Sequence, residues 1–175
     1  VTTSFAGAIV DGIRPTISAV NIPSNTYYAN DNILVTLTFD DNVTIAGGSP
    51  TIPLSFETNV GGPAAVYSSG STTNSIVFDY PVIAGNEDTN GIDLSTGVVS
   101  LGGATIQDAN GNDAVLTIPT TNFPTVLVDA IVPTVTINTP LDNIDATNVA
   151  SYTIDGTCSE NGEVVTVNIG GVSAT

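Results

Sequence analysis

Val35-Thr36-Leu37-Thr38-Phe39 alternates strictly between apolar and polar residues. Alternation with a period of two is typical of a β-strand with one buried face, because successive side chains of a strand point to opposite sides. Val35, Leu37 and Phe39 are therefore predicted to face a hydrophobic core. The scarcity of good helix formers and the abundance of Val, Ile and Thr extend this prediction to the whole chain, which we expect to be all-β.

Six further strands are predicted from runs rich in Val, Ile and Thr. Clusters of Gly, Asn and Pro separate these runs and indicate turns, as at Asn90-Gly91 and Asn110-Gly111. The seven predicted strands cover residues 16–22, 33–39, 51–57, 64–68, 75–80, 98–107 and 123–129. This number and spacing of short strands favours a β-sandwich, with an open barrel as the alternative.

An internal repeat organises the chain. Residues 2–16 read TTSFAGAIVDGIRPT and residues 120–134 read TTNFPTVLVDAIVPT, with eight identical positions and no gap. The two stretches lie 118 positions apart, which is an ordinary domain length. A weaker similarity relates residues 38–42 to residues 157–161. We therefore predict three parts: residues 1–11 as the last strand of a preceding module, 12–130 as a complete module, and 131–175 as the first part of a following one.

The charge of the chain is strongly unbalanced. Seventeen Asp and Glu residues stand against one basic residue, Arg14, and the formal net charge is −16. Such a field repels phosphate backbones and anionic lipids and attracts cations, so nucleic acid is not expected as a partner. No apolar run approaches the length of a membrane span, and membrane insertion is not expected either.

Catalytic chemistry is not expected. The chain has no His and no Lys, which excludes the usual nucleophile and base pairs, and it has one cysteine, Cys158, which excludes paired-thiolate zinc sites. Two carboxylates would suffice for a glycosidase, but the sequence has no aromatic-rich stretch typical of a sugar-binding cleft. Cys158 aligns with Phe39, which predicts a small buried residue or, alternatively, a disulfide to a cysteine outside this sequence.

Calcium is the cofactor that the acidic loops predict. Calcium takes six to eight oxygen ligands from carboxylates, amides and carbonyls. Residues 108–113, Asp-Ala-Asn-Gly-Asn-Asp, resemble the front of a calcium loop but lack its distal Glu. A tight turn closed by Asx hydrogen bonds is the alternative explanation for this segment.

The predicted alternation of strand direction sorts the acidic loops between two poles of the module. Asp11, the turn at residues 40–42 and the turn at residues 108–113 share the first pole; Asp129 shares the second pole with residues 31, 87 and 88, and Glu160 of the next module would face it. The predicted calcium ligands are Asp11, Asp31, Asp40, Asp41, Glu87, Asp88, Asp108, Asn110, Asn112, Asp113, Asp129 and Glu160. Alternatively, the charge serves only to keep the protein soluble.

Several stretches resemble the bacterial Ig-like repeat modules of large secreted adhesins and surface-layer proteins. They are residues 35–44 (VTLTFDDNVT), 82–88 (VIAGNED) and 102–112 (GGATIQDANGN). Residues 154–162 (IDGTCSENG) resemble the opening half of a second kind of Ig-like adhesin repeat. The resemblance implies Ig-like Greek-key β-sandwich repeats in tandem, an extracellular location at the bacterial cell surface, and often calcium, but it implies no catalytic residues.

Three functions follow as expectations. The first is a structural and adhesive repeat segment stiffened by calcium at the module junctions, with neighbouring modules and a host-cell or surface ligand as partners. The second is a self-assembling filament or surface-layer subunit, in which residues 3–10 of one copy complete the carboxy-terminal module of the next by strand exchange. The third is a carbohydrate-binding accessory module.

Overall fold

A computed structural model describes residues 11–94, 97–138, 146–147, 153–160, 164–169 and 172–174. The described chain is all-β, which confirms the predicted fold class at that level. The chain divides into two compact units, Val1–Ile131 and Val132–Thr175. Residues 1–10, predicted to be a strand of a preceding module, lie outside the described residues, and the predicted module boundaries stay predictions.

Eleven strands are described in the first unit. They are β1 (Ile17–Asn21), β2 (Asn25–Tyr27), β3 (Asn32–Gly47), β4 (Thr51–Ser55), β5 (Ala64–Ser69), β6 (Thr73–Pro81), β7 (Glu87–Asp88), β8 (Ile92–Leu94), β9 (Ala104–Gln107), β10 (Asn122–Phe123) and β11 (Val126–Asp129). A curled antiparallel sheet runs in the order β1-β3-β6-β5-β4-β8-β10, with β9 also paired to β3. A smaller sheet holds β11 between β2, which is parallel to it, and β7, which is antiparallel.

Strand β3 belongs to two parts of the large sheet. Its first half pairs with β1 and β6, and its second half pairs with β9. The register with β6 shifts between Thr38 and Val43, so the strand bends around residues 40–42. The turn predicted at residues 40–42 is therefore wrong, because β3 continues through them, and the bend places these acidic residues beside the segment that precedes β1.

The core of the first unit lies on the inner face predicted from the alternation in β3. Val35, Leu37 and Phe39 are 0%, 0% and 1% exposed, which confirms that prediction. Ile76 and Phe78 of β6 are fully buried on the same side. Val126 and Val128 of the small sheet belong to the same core cluster. Burial of each large side chain stabilises the fold by about 1.5–3 kcal/mol relative to exposure.

Two predicted strands are interrupted in the structure. In the run at residues 98–107, only β9 is regular, because Gly102 and Gly103 adopt positive φ angles of 55° and 85° and form a turn. The run at residues 123–129 is split into β10 and β11 around Pro124, which has no N–H to donate to a sheet. The short strands β2, β7 and β8 were not predicted.

The second unit contains two separate antiparallel pairs in its described residues. Strand β12 (Val135–Ile137) pairs with β13 (Gly156–Cys158), and β14 (Val167–Ile169) pairs with β15 (Val172–Ala174). Val135 and Ile137 are each 52% exposed. Val135 and Ile137 of β12 are therefore far less buried than Ile17 of β1, which is 7% exposed.

The first strand pair of each unit begins with the same residue pair. Ile17 lies opposite Phe39 in the β1–β3 pair, and Val135 lies opposite Cys158 in the β12–β13 pair. The sequence similarity aligns the same residues, Ile17 with Val135 and Phe39 with Cys158. Beyond this residue pair the registers differ, because the β1–β3 pair shifts between Ile17 and Ala19 and the β12–β13 pair has no shift.

The same hydrogen bonds close the start of each pair. In the first unit, the Thr16 N–H donates to Asp40 Oδ1 (2.8 Å), and the Asp40 N–H donates to the Thr16 carbonyl (3.0 Å). In the second unit, the Thr134 N–H donates to Ser159 Oγ (2.9 Å), and the Ser159 N–H donates to the Thr134 carbonyl (2.9 Å). We call this two-bond arrangement the brace.

Candidate functional site

The first acidic pole is a surface pocket formed by two segments of the first unit. Asp11, Asp40 and Asp41 line this pocket together with residues 13–15. Asp11 Oδ2 accepts a hydrogen bond from Asn110 Nδ2 at 2.8 Å, and its Oδ1 accepts one from the Ile13 N–H at 3.0 Å. The structure thus brings Asp11, Asp40, Asp41 and Asn110 together; we call these four residues the Asp11 cluster.

Asp40 is held by the residue that begins the brace. The Thr16 hydroxyl donates to Asp40 Oδ2 at 2.6 Å, in addition to the N–H bond to Oδ1. The Thr16 hydroxyl, and then its N–H, lower the pKa of the exposed Asp40 carboxyl, because both stabilise the charged form. Asp40 is therefore an ionised oxygen donor at neutral pH.

Arg14 lies at the same pocket but does not pair with the cluster's carboxylates through its described hydrogen bonds. Its Nε donates to the Asp113 carbonyl at 2.7 Å, and one terminal nitrogen donates to the Ala114 carbonyl at 3.2 Å. The Arg14 side chain therefore links the segment before β1 to residues 113 and 114. It also offsets part of the repulsion among the nearby acids.

The turn at residues 108–113 has the Asx-closed geometry that was the alternative to a calcium loop. Asp108 Oδ1 accepts the N–H groups of Asn110 and Asn112, each at 2.8 Å, and Oδ2 accepts Asn112 Nδ2 at 2.7 Å. The Asn112 carboxamide is the main group that lowers the pKa of Asp108. Asp113 Oδ1 accepts from Gln107 Nε2 at 2.9 Å. A cation at Asp108 would have to replace bonds that the turn already makes.

At the second pole, Asp129 lies directly opposite Glu87 in the β11–β7 pair. Two like charges opposite each other on neighbouring strands repel, which favours a cation between them. Asp31 instead closes its own turn, where its Oδ2 accepts the Tyr28 N–H at 2.8 Å. The structure therefore places a surface carboxylate pair, Asp129 and Glu87, at this pole.

Asp88, like Asp108, is a predicted ligand whose side chain is buried. It is 3% exposed, and its Oδ1 accepts the Gly91 N–H at 2.7 Å. Burial raises the pKa of Asp88, and the Gly91 N–H opposes that rise. The side chain holds the Asn90-Gly91 turn from inside and is not a surface oxygen donor like Glu87.

Glu160 belongs to the second unit and is half-buried. Its predicted pairing with Asp129 stays a prediction. Across the described ranges, no three His, Cys, Asp or Glu side chains converge closely enough to hold a metal ion. The Asp11 cluster has the carboxylate and amide oxygens that calcium uses, and Asp11, Asp40, Asp41 and the Asn110 amide are the residues that could hold the ion.

Sequence reasoning missed two polar centres. Asn86 is completely buried; its Nδ2 donates to the Tyr80 hydroxyl (2.6 Å), and its Oδ1 accepts the Val60 N–H (3.1 Å). Glu57 accepts both the N–H and the hydroxyl of Thr89, at 2.8 and 2.7 Å, and the carboxamide of Asn90 at 2.6 Å. The sequence predicted a turn at Asn90-Gly91, but it did not predict the contact with Glu57, because Glu57 lies far from this turn along the chain.

No protein-family model, curated protein or solved structure matches the chain. In the part of the chain that the structure describes, no helix has the length and apolar character needed to cross a membrane. Functional inference therefore depends on the residues and contacts described above.

Proposed function

We propose that the chain is a structural and adhesive repeat segment of an extracellular bacterial surface protein, built from tandem Ig-like Greek-key β-sandwich modules and stiffened by calcium at their junctions. A host-cell or surface ligand and the neighbouring modules are the partners. In this proposal the protein is a spacer or adhesive element without catalytic activity.

The observation that carries the proposal is the brace shared by the two units. A sequence repeat supported by the same opening residue pair and the same hydrogen bonds is what tandem copies of one module would produce. The large curled sheet and the small β2-β11-β7 sheet contribute to one core in the first unit, which favours a sandwich. Secretion is consistent with the strand-rich, acidic composition.

The calcium part of the proposal is supported by charge and position. The Asp11 cluster lies where the chain enters β1, and the Asp129–Glu87 pair lies where β11 leaves the first unit. Both acidic sites therefore lie at the predicted module junctions. With one basic residue in the chain, metal ions are the available counter-charge at neutral pH, where free carboxylates with a pKa near 4 are ionised.

A thermal melt of the full chain in millimolar calcium and in chelator, at matched ionic strength, tests the calcium role. Binding to the folded state alone stabilises it by about 2.7 kcal/mol at a hundredfold excess over Kd. We expect the calcium-dependent rise in Tm to be smaller in Asp11→Asn and unchanged in the control Asp93→Asn, an exposed acid that bonds to Asn122. Equal Tm values with no calorimetric heat of binding would refute the calcium role.

A second candidate function is supported by the second unit. Its β12–β13 pair exposes Val135 and Ile137, as expected of strands that another strand completes. We propose, as the alternative, a filament or surface-layer subunit joined by strand exchange. Sizing of the full chain separates the two: linear polymers would favour strand exchange, and a monomer would favour the array segment.

A further inference from the structure

We infer that the outer edge of β13 is a docking site for an antiparallel strand of the β6 type. A β6-type strand is an extended segment with apolar residues at alternate positions, as at Ile76, Phe78 and Tyr80. The inference rests on the proposal that the second unit is completed by an added strand. It goes further by naming the strand and its register, and it does not depend on calcium.

The edge itself is defined by hydrogen-bond direction. Ser159 and Asp155 direct backbone groups toward β12, since the Ser159 N–H donates to Thr134 and the Asp155 carbonyl accepts from Asn138. Backbone groups of a strand alternate between its two sides, so those of residues 154, 156 and 158 point to the opposite edge. In the described residues, β13 pairs with β12 alone. This edge therefore presents donors and acceptors to an incoming strand.

A groove lies on the face of the β12–β13 pair. Its apolar lining is Val135, Ile137, Ile154, Cys158, Val165 and Val167, and the rest of its lining is Thr136, Asp155, Gly156 and Thr157. The two β12 side chains in this lining are 52% exposed, whereas Ile17, the β1 counterpart of Val135, is 7% exposed. Apolar side chains of a strand added beside β13 would pack against Ile154 and Cys158, the lining residues on that side, in addition to making backbone bonds.

The first unit shows what covers the same edge when it is paired. There β3 is the counterpart of β13, and β6 lies beside it with Ile76 opposite Leu37 and Phe78 opposite Val35. Phe39 corresponds to Cys158, so counting back along both strands places residue 156 at the position of Leu37 and residue 154 at that of Val35. A docked β6-type strand would thus put its Ile76 position opposite Gly156 and its Phe78 position opposite Ile154.

The amino-terminal segment is a poorer match for this edge. By the internal repeat, residues 8–11 correspond to β11. In the first unit, β11 lies between β2 and β7 in the small sheet and does not pair with β3. A strand equivalent to β11 would therefore occupy a different sheet of the second unit from the one that β13 begins.

A peptide titration of the full chain tests the inference. The probe is a synthetic peptide with the β6 sequence, TNSIVFDYP, and the matched control carries Ile76→Ser and Phe78→Ser. A third peptide has the sequence of residues 2–11. The readouts are hydrogen exchange at the amides of residues 154, 156 and 158 and the reaction rate of the Cys158 thiol with a maleimide.

We expect the β6 peptide to slow exchange at these amides by on the order of tenfold and to slow Cys158 labelling, while the serine control does neither. Protection by the 2–11 peptide and not by the β6 peptide would overturn the inference and leave strand exchange by the amino-terminal segment standing. No protection by either peptide would overturn docking at this edge, whereas the calcium melt would be unaffected.

Discussion

The β1–β3 pair of the first unit and the β12–β13 pair of the second begin with the same residue pair and the same brace, but they differ in burial. Phe39 is 1% exposed and Ile17 is 7% exposed, whereas Val135 is 52% exposed and Cys158 is half-buried. The local hydrogen bonds are therefore equivalent in the two units, and the packing is not.

The difference shows which interactions depend on distant parts of the chain. The brace joins the residue before the first strand of the pair to a residue at the end of the pairing on the second strand, and it forms in both units. Burial of the inner face requires β6 and the small sheet, and strands β6, β7 and β11 come from later in the first unit. Local pairing thus specifies the register, and long-range strands supply most of the apolar burial that stabilises it.

The largest expected effect comes from truncating the equivalent residues Phe39 and Cys158. Phe39→Ala removes a fully buried ring and should cost about 3–5 kcal/mol of unfolding free energy, because a cavity remains in the core. Cys158→Ala removes one half-buried atom and should cost within about 1 kcal/mol. Urea denaturation of each variant of the full chain measures both. Equal losses would show that the two strand pairs are equally packed.

A smaller effect is expected at Gly156, where the two strands of the second unit approach closely. A Cβ placed there would clash with the Thr136 carbonyl oxygen. Gly156→Ala should therefore weaken the β12–β13 pair by about 1–3 kcal/mol, seen as faster amide exchange in residues 135–137. The control is Gly111→Ala, whose Cβ would meet nothing within 4 Å and whose positive φ of 88° adds only local strain. Unchanged exchange in Gly156→Ala would contradict the close approach.

The brace itself provides a third test. Ser159→Asp copies the acceptor of the first unit into the second, where a carboxylate would accept the Thr134 N–H in place of a hydroxyl. Charge-assisted hydrogen bonds are about twice as strong as neutral ones, so we expect a gain of about 1 kcal/mol, measured as slower exchange of the Thr134 amide. Ser159→Ala, which removes the acceptor, should speed the same exchange. If the Thr134 amide exchanges at the same rate in both variants, the brace does not stabilise the β12–β13 pair.

The smallest expected effect is a dependence on pH that separates two groups of acids in the first unit. Hydrogen bonds lower the pKa of Asp40, Glu57 and Asp108, so their stabilisation is present above the unfolded pKa near 4 and is lost as the pH falls further. Burial raises the pKa of Asp88, so its contribution is greatest below that pH and is lost as the pH rises through its folded pKa.

Asp88→Asn separates these contributions, because Asn keeps an acceptor for the Gly91 N–H without the buried charge. We expect the variant to be more stable than the parent at pH 7 and to lose this advantage near pH 3. Denaturation at both pH values measures the difference, with Asp93→Asn as the exposed control. A loss of stability at pH 7 with none at pH 3 would mean that the charge of Asp88 itself holds the turn.

Sequence patterns predicted the features that depend on neighbouring residues. The period of two in residues 35–39 identified the buried face, and Asn90-Gly91 identified a turn in which Gly91 has φ 107°. Strand β2 could not be predicted in this way, since three residues acquire strand geometry from pairing with β11 about a hundred positions later. The burial of Asp88 could not be predicted for the same reason, because Asp88 is covered through its pairing with β11, which lies far along the chain.

The double pairing of β3 has a consequence for how fast the first unit folds. Its first half pairs with β1, a near neighbour in the chain, while Thr44 in its second half pairs with Gln107, far along it. Closing the longer loop costs more chain entropy, so the β9 contact should form later than the β1 contact. Shortening the segment between Thr44 and Gln107 should therefore speed formation of the β3–β9 pair.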